Sequence, residues 1–168
     1  MISSKYVPMT FYFVALAALT IPALYFHSLP EQMASHFNAS GIADGWMSKS
    51  SYVQTYYILL IAIIFLFMGI NFSLKKFPDS MINIPNKKYW FDPARKEMAI
   101  RTIKNFIYLM GILTISFITL IFISVYRANI NGTYSIGNSL WFYLIMLITS
   151  TLFFIIKIYS YFNKTDNH

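Results

Sequence analysis

The sequence predicts an all-α integral membrane protein with four transmembrane helices, both termini in the cytoplasm and an ordered outer loop between the first two helices. Three observations lead to this prediction. Hydrophobic residues make up 57% of the 168 residues and charged residues only 11%, whereas a soluble domain usually carries about 25% charged residues. Four stretches are long and apolar enough to span a bilayer. The basic residues are concentrated on one side of these stretches.

The four candidate spans cover about residues 6–26, 53–74, 106–126 and 140–161. A helix needs about 20 mostly apolar residues to cross the hydrocarbon core, and each stretch meets that length without a charge near its centre. The first span is longer than the apolar region of a signal peptide, so we expect it to be retained. With their connections, the spans are predicted to form one polytopic membrane domain over residues 1–168.

The distribution of Lys and Arg predicts the orientation, because basic residues close to a span stay in the cytoplasm. Residues 75–105, between the second and third spans, hold eight of the thirteen basic residues. Three more precede the first span or end the fourth, and only Lys49 and Arg127 fall on the other side. The middle loop and both termini are therefore predicted to be cytoplasmic. Topology thus explains the net charge of +7, and no nucleic-acid partner is predicted.

Several classes of function are excluded or weakened by what the sequence lacks. There are no cysteines, so a disulfide framework, a thiolate nucleophile and a cysteine metal site are excluded. The spans contain no Asp, Glu, Arg or His near mid-membrane, which argues against an ion-coupled transporter formed by this chain alone. No cofactor is predicted. Asn71, near the end of the second span, is expected to make an interhelical hydrogen bond.

The first outer loop, residues 27–52, gathers most of the ionisable side chains predicted to lie outside. His27, Glu31, His36 and Asp44 could hold a metal ion, but their spacing matches no standard zinc pattern. His36 with Asp44 or Glu31 could form a base and its orienting partner, but no nucleophile is placed beside them. The third interpretation is a structural cap, in which Lys49 pairs with Asp44 or with a lipid phosphate. The residues favour the cap, and no metal is predicted.

Local signals in the same loop predict ordered backbone. Ser40-Gly41 and Asp44-Gly45 each indicate a turn, because Gly accepts a positive φ and Asp bonds nearby backbone. The segment from His36 to Asn38 is expected to be extended, with Asn38 satisfying turn backbone. Trp46 is expected at the level of the lipid headgroups, where its ring can be half buried and its N–H hydrated.

The order of residue types in this loop resembles the domain-of-unknown-function 1648 family of bacterial membrane proteins, a domain also found at the N-terminus of SdpI-type immunity proteins. The resemblance covers about residues 10–55 and departs from the family at Ala34 and Ala43, where the family pattern has proline. The pattern consists of Leu29-Pro30, His36-Phe37-Asn38, Gly41, Asp44-Gly45-Trp46 and Lys49. The resemblance implies a protein of the bacterial cytoplasmic (inner) membrane. For the SdpI branch it implies protection against a secreted membrane-active peptide.

The functional candidates carried over to the outer loop, without a catalytic role in the family, are His36, Asn38, Gly41, Asp44, Gly45, Trp46 and Lys49.

The cytoplasmic loop, residues 75–105, contains a second unusual segment that is both basic and aromatic. Asp92 and Pro93 are typical of an N-cap and a first helical position, so a helix is predicted from Pro93 into the third span, with Glu97 and Arg101 paired. The aromatic residues are expected at the headgroup level as an interfacial anchor. The alternative is a docking patch for a cytoplasmic partner. Its candidate residues are Asn86, Lys87, Lys88, Tyr89, Trp90, Pro93 and Arg95.

Three hypotheses for function follow. The leading hypothesis is a non-enzymatic membrane protein for resistance to, or sensing of, membrane-active peptides, with the outer loop as its contact surface. The second is a membrane-embedded enzyme that acts on lipid or envelope precursors with His36 and Asp44 as acid and base. The third is an accessory subunit of a transporter or envelope complex. The predicted partners are accordingly the lipid bilayer and either a peptide ligand or another membrane protein.

Overall fold

The computed structural model describes residues 5–165. Each of the four predicted spans is helical, and the four long helices are apolar enough to cross a membrane. One short α-helix and two 3-10 helices, Leu74–Lys76 and Asp79–Met81, lie between the second and third of them. The helices are α1 (Val7–Tyr25), α2 (Lys49–Ser73), α3 (Lys87–Trp90), α4 (Lys96–Ile130) and α5 (Ser139–Asn163).

Helix α4 is the central element of the bundle, because α1, α2 and α5 all pack against it. Its 35 residues correspond to about 52 Å of helix, well beyond the roughly 30 Å of hydrocarbon that a span crosses. Gly111, in α4, allows α1 and α2 to pack closely against α4. A Cβ atom added at this position would lie 2.6 Å from the ring of Phe11 and 3.0 Å from that of Phe67. Small residues at such crossings are typical of helix packing in membranes.

The loop between α1 and α2 is a β-hairpin, so the all-α prediction is wrong in this segment. Strands β1 (Gln32–Phe37) and β2 (Ala43–Ser48) are antiparallel, and Ala34 pairs with Trp46. His36 pairs with Gly45, and the register shifts on both sides of His36. Such an irregularity is a β-bulge, which bends a strand and redirects its side chains.

The turn predicted at Asp44-Gly45 is wrong, because both residues lie within β2. Glycine is required there for a different reason. A Cβ atom at position 45 would lie 2.8 Å from the Cβ of His36, so glycine lets the two strands approach each other at the bulge. Asp44 is consequently held in extended backbone, beside His36.

Two predictions at the other end of the bundle are also wrong. Helix α4 begins at Lys96 rather than Pro93, because Asp92 forms a separate turn in which its side-chain Oδ1 accepts a hydrogen bond from the N–H of Ala94 at 3.0 Å. Glu97 and Arg101 form no ion pair. The spacing along a helix permits that pair, but both side chains line a cleft described below.

Asn71 does not make the interhelical hydrogen bond predicted for it. The residue is 2% exposed, and neither its amide nitrogen nor its amide oxygen has a hydrogen-bond partner within the described residues 5–165.

The hairpin lies at one end of α4, and residues 75–105, which we call the lysine-rich segment, lie at the other. Ala34 of the hairpin contacts Asn129 in the last turn of α4, whereas Trp90 packs in a cluster with Ala99 in its first turn. We refer below to the hairpin end and the lysine-rich end of the bundle.

Candidate functional site

The hairpin is attached to the helix bundle by the side chain of Asn129. Its Oδ1 accepts a hydrogen bond from the N–H of Ala34 at 2.7 Å, and its Nδ2 donates to the carbonyl of Ala34 at 3.0 Å. Nδ2 also donates to the carbonyl of Val125 at 2.9 Å, which orients the amide. Because Asn129 is 3% exposed, all of these bonds are shielded from water. The amide group therefore replaces a neighbouring strand along β1.

An apolar cluster beneath the hairpin fills the space between it and the helices. Met33 projects from β1 into this cluster and is fully buried. Tyr52 and Tyr126 contribute from α2 and α4, with their ring centroids 5.9 Å apart in an edge-on contact. The hairpin thus packs directly on the end of the helix bundle.

The second loop, between α4 and α5, bonds to the start of β2 and to the turn before it, on the edge of β2 that faces away from β1. The N–H of Ala43 donates to the carbonyl of Tyr134 at 3.0 Å, and the N–H of Ile136 donates to the carbonyl of Gly41 at 2.9 Å. Gly41 has a φ of +74°, and a Cβ atom there would overlap the backbone carbonyl of Gly137. We call the resulting unit, residues 29–49 together with residues 131–141, the hairpin cap.

The turn of the hairpin is stabilised by Asn38, as predicted. Its Oδ1 accepts hydrogen bonds from the N–H of Ser40 at 3.0 Å and of Ile42 at 3.1 Å. The indole N–H of Trp141 donates to the carbonyl of Ala39 at 3.0 Å. Bonds from Asn38 within the hairpin and from Trp141 in the first turn of α5 therefore hold the tip of the hairpin.

His36 and Asp44 are direct partners, through Nδ1 of the imidazole and Oδ1 of the carboxylate. The His36 side chain is 75% exposed and that of Asp44 44% exposed, so the pair lies on the surface. No group of three or more His, Cys, Asp or Glu residues is arranged to hold a metal in the part of the chain the structure describes. A carboxylate on Nδ1 orients an imidazole as it does for a catalytic base, but water surrounds this pair.

Lys49 does not pair with Asp44, which corrects one prediction. Its Nζ lies 2.7 Å from Oε1 of Glu31 and 4.9 Å from the centroid of the Phe26 ring. The Lys49 side chain is only 13% exposed. The physical reason is the extended backbone between the two residues, because five residues of strand span about 16 Å. Lys49 therefore links the start of α2 to the start of β1.

Trp46 is 46% exposed, and its ring meets that of Tyr134 edge-on with centroids 4.8 Å apart. Its placement at the lipid headgroups stays a prediction. Ile42 and Tyr134 are also exposed, by 55% and 39%. The cap thus presents an apolar surface around the outer edge of β2.

Side chains of the lysine-rich end donate hydrogen bonds to the last turn of α5. Trp90 is 6% exposed, so its ring packs inside the protein, and its predicted placement at the headgroup level stays a prediction. Its indole N–H donates to the carbonyl of Phe162 at 2.8 Å, and Nδ2 of Asn86 donates to the carbonyl of Asn163 at 2.9 Å. Both bonds satisfy carbonyl groups that the end of a helix leaves free.

Of the remaining candidates at this end, Arg95 is engaged with Tyr89. Its Nε donates to the Tyr89 carbonyl at 2.9 Å, and its guanidinium lies 4.0 Å from the Tyr89 ring centroid. Lys88 and Pro93 are exposed, and Lys87 is half buried. Residues 86–95 therefore mainly make contacts within the protein. They hold the start of α4 against the end of α5, and we call them the lysine-rich clasp.

The sequence reasoning missed the residues that hold the hairpin from outside it. Asn129 is a polar residue in the last turn of an otherwise apolar helix, and this was the one available signal. Tyr134 adopts a positive φ of 49°, which the neighbouring Asn131-Gly132 turn signal does not reveal. The contact between Ala34 and Asn129 joins residues 95 positions apart in the chain.

Four long apolar helices, with a hairpin cap at one end and a lysine-rich clasp at the other, define a multi-pass membrane protein. Residues 13–70 match the family model of the domain of unknown function DUF1648, which confirms the resemblance drawn from the loop motif. The match covers most of α1, the whole hairpin and most of α2. No curated protein and no solved structure matches the chain.

Proposed function

We propose that this chain is a non-enzymatic protein of the bacterial cytoplasmic membrane, whose hairpin cap binds a membrane-active peptide on the outer face. In this proposal both termini and the lysine-rich end are cytoplasmic. The uneven distribution of basic residues supports that orientation. The role in resistance or sensing corresponds to the one implied by the SdpI branch of the family resemblance.

The observation that carries the proposal is the open edge of β2. Ala34 directs its N–H and its carbonyl to Asn129, away from β2. Trp46 is opposite Ala34, so its own backbone groups point away from β1, as in every antiparallel pair without mutual bonds. Ala43 on the same edge is covered by Tyr134, but within residues 5–165 no backbone group from outside the two strands bonds to the Trp46 N–H or carbonyl. Such an edge accepts an extended peptide by strand addition.

The surroundings of this edge suit an amphipathic peptide. The exposed side chains of Ile42, Trp46 and Tyr134 offer apolar contacts, and the Glu31 carboxylate, which is paired with Lys49, is still 89% exposed. Many membrane-active peptides combine an apolar face with basic residues. Main-chain bonds along the edge would supply affinity, and the flanking side chains would supply selectivity.

The test compares four bacterial strains for killing by a panel of membrane-active peptides: a deletion strain, and the same strain complemented with the natural chain, with Trp46→Pro or with Trp46→Leu. Proline removes the N–H at the open edge but no bond to β1, so Trp46→Pro should fail to restore resistance. Trp46→Leu keeps the N–H and serves as the matched control. Unchanged sensitivity of the deletion strain to the whole panel would contradict the proposal.

The contact between His36 and Asp44 favours a second candidate function, an enzyme that acts on lipid or envelope precursors with this pair as acid and base. Purified protein carrying His36→Ala would then keep its fold and lose turnover of such a precursor. Equal turnover by the variant would eliminate the pair from catalysis. The accessory-subunit hypothesis stays a prediction, which crosslinking and co-purification of the intact chain would test.

A further inference from the structure

A basic cleft lies at the lysine-rich end of the bundle, between the start of α1, the end of α2 and the first turns of α4. Its volume is about 340 Å³. Lys75, Arg101 and Lys104 line it together with a single carboxylate, Glu97. The hydroxyl groups of Tyr12 and Tyr108, 3.2 Å apart, belong to the same wall.

The single carboxylate, Glu97, leaves an excess of positive charge in this cleft. Within residues 5–165, none of Lys75, Arg101 and Lys104 forms an ion pair. The adjoining cleft of about 390 Å³ shares Lys75 and Glu97 with this one, but its second lysine, Lys96, is paired with Asp79 at 2.7 Å. Collecting like charges in one concave site is unfavourable unless an anion offsets their repulsion.

The depth of the cleft along the helices corresponds to the lipid phosphate layer. Lys104 is the last charged residue of α4 before a charge-free stretch that ends at Arg127. Those 22 intervening residues measure about 33 Å as a helix, close to the roughly 30 Å of the hydrocarbon core. Lys75 likewise follows directly on a charge-free stretch that begins after Lys49. Lys75 and Lys104, two of the three basic residues, therefore lie at the ends of charge-free apolar stretches.

We propose that this cleft binds the phosphate of an acidic lipid headgroup. Lys75, Arg101 and Lys104 supply positive charge, and the Arg101 guanidinium can bind two phosphate oxygens at once. The tyrosine hydroxyls can donate to the remaining headgroup oxygens. Basic pockets between membrane helices bind acidic headgroups in this way. The site is independent of the hairpin cap, and it assigns a lipid ligand to the end of the bundle where the sequence predicts an interfacial anchor or a docking patch for a cytoplasmic partner.

The experiment measures lipid binding to the purified full chain in detergent by native mass spectrometry, with phosphatidylglycerol and phosphatidylcholine as the two probes. Phosphatidylglycerol should bind more tightly. Lys104→Gln should weaken its binding about fivefold, because one basic residue near an acidic headgroup contributes about 1 kcal/mol. Glu97→Gln should strengthen it by a similar factor, since that change removes the carboxylate from the cleft.

Lys88→Gln is the matched control, because Lys88 is an exposed lysine of the same segment that does not line the cleft. This variant removes one positive charge and should leave binding unchanged. Thermal unfolding of all three variants checks that they fold. Equal affinity for the two lipids, or equal weakening by Lys88→Gln and Lys104→Gln, would overturn the site. Complete displacement of phosphatidylglycerol by an equal concentration of inorganic phosphate would assign the cleft to free phosphate and overturn the lipid assignment.

Discussion

Asn129 and Ala34 are joined by a pair of hydrogen bonds in which the amide side chain of a helical residue replaces a third β-strand. This relationship determines which edge of the hairpin is satisfied and which is open. Because β1 is bonded to Asn129, the edge left for a partner is that of β2, around Trp46. The same two bonds couple the orientation of the hairpin to the last turn of α4.

Replacing Asn129 by Leu should destabilise the attachment of the hairpin. The change leaves the buried N–H and carbonyl of Ala34 without partners, and an unsatisfied buried group costs about 1–3 kcal/mol. We expect a lower thermal unfolding temperature in detergent and faster amide hydrogen exchange in β1. Asn131→Ala is the control, because Asn131 is an exposed asparagine two residues further on. Similar exchange in the two variants would show that the Asn129 amide does not hold the hairpin.

Gly41→Ala should separate the two loops of the hairpin cap. The φ of Gly41 is +74°, a region that costs an L-residue about 1–2 kcal/mol, and the added Cβ would overlap the Gly137 carbonyl. Gly132→Ala is a matched control. Its φ is +65°, but a Cβ there meets no atom within 4 Å.

Both variants carry the cost of a positive φ, and only Gly41→Ala adds a steric overlap. The difference between their free energies of unfolding therefore measures the overlap alone. Gly41→Ala should be the more destabilised of the two, and only this variant should show increased hydrogen exchange at Ile136, whose N–H bonds the Gly41 carbonyl. Equal losses in stability would mean that the second loop is not packed on the hairpin.

Gly111→Ala should weaken the packing of α1 and α2 on α4. The new methyl group would lie 2.6 Å from the ring of Phe11, and overpacking of this kind typically costs about 1–3 kcal/mol. Gly69→Ala, in α2, meets no atom within 4 Å and should be neutral or stabilising by up to about 1 kcal/mol, because Ala is the better helix former. Detergent-resistance and thermal unfolding assays would measure both; stabilisation by Gly111→Ala would contradict the close helix crossing.

The proposed orientation can be tested with single cysteines, because the natural sequence contains none. Ser40→Cys, in the exposed hairpin turn, should react with a membrane-impermeant maleimide in intact cells. Ser80→Cys, exposed in the lysine-rich segment, should react only after the membrane is permeabilised. Labelling of both positions in intact cells, or of Ser80→Cys alone, would contradict a cytoplasmic lysine-rich end.

The sequence was sufficient for properties that depend on local composition. A run of apolar residues favours a helix in lipid wherever it packs, because the bilayer leaves the backbone no other way to satisfy its hydrogen bonds. The four spans could therefore be predicted, and the role of Asn38 followed from turn chemistry within five residues. The loop motif likewise identified the domain that residues 13–70 match.

Only the tertiary structure decided what depends on distant partners. The register of the hairpin, the pairing of Lys49 with Glu31 and the burial of Trp90 against α5 each require residues that local patterns cannot bring together. Asn129 shows the reason most clearly, because its partner Ala34 is 95 positions away. A polar side chain in an apolar helix indicates that a hydrogen bond is needed, but the choice of partner is made by the packing of the whole bundle.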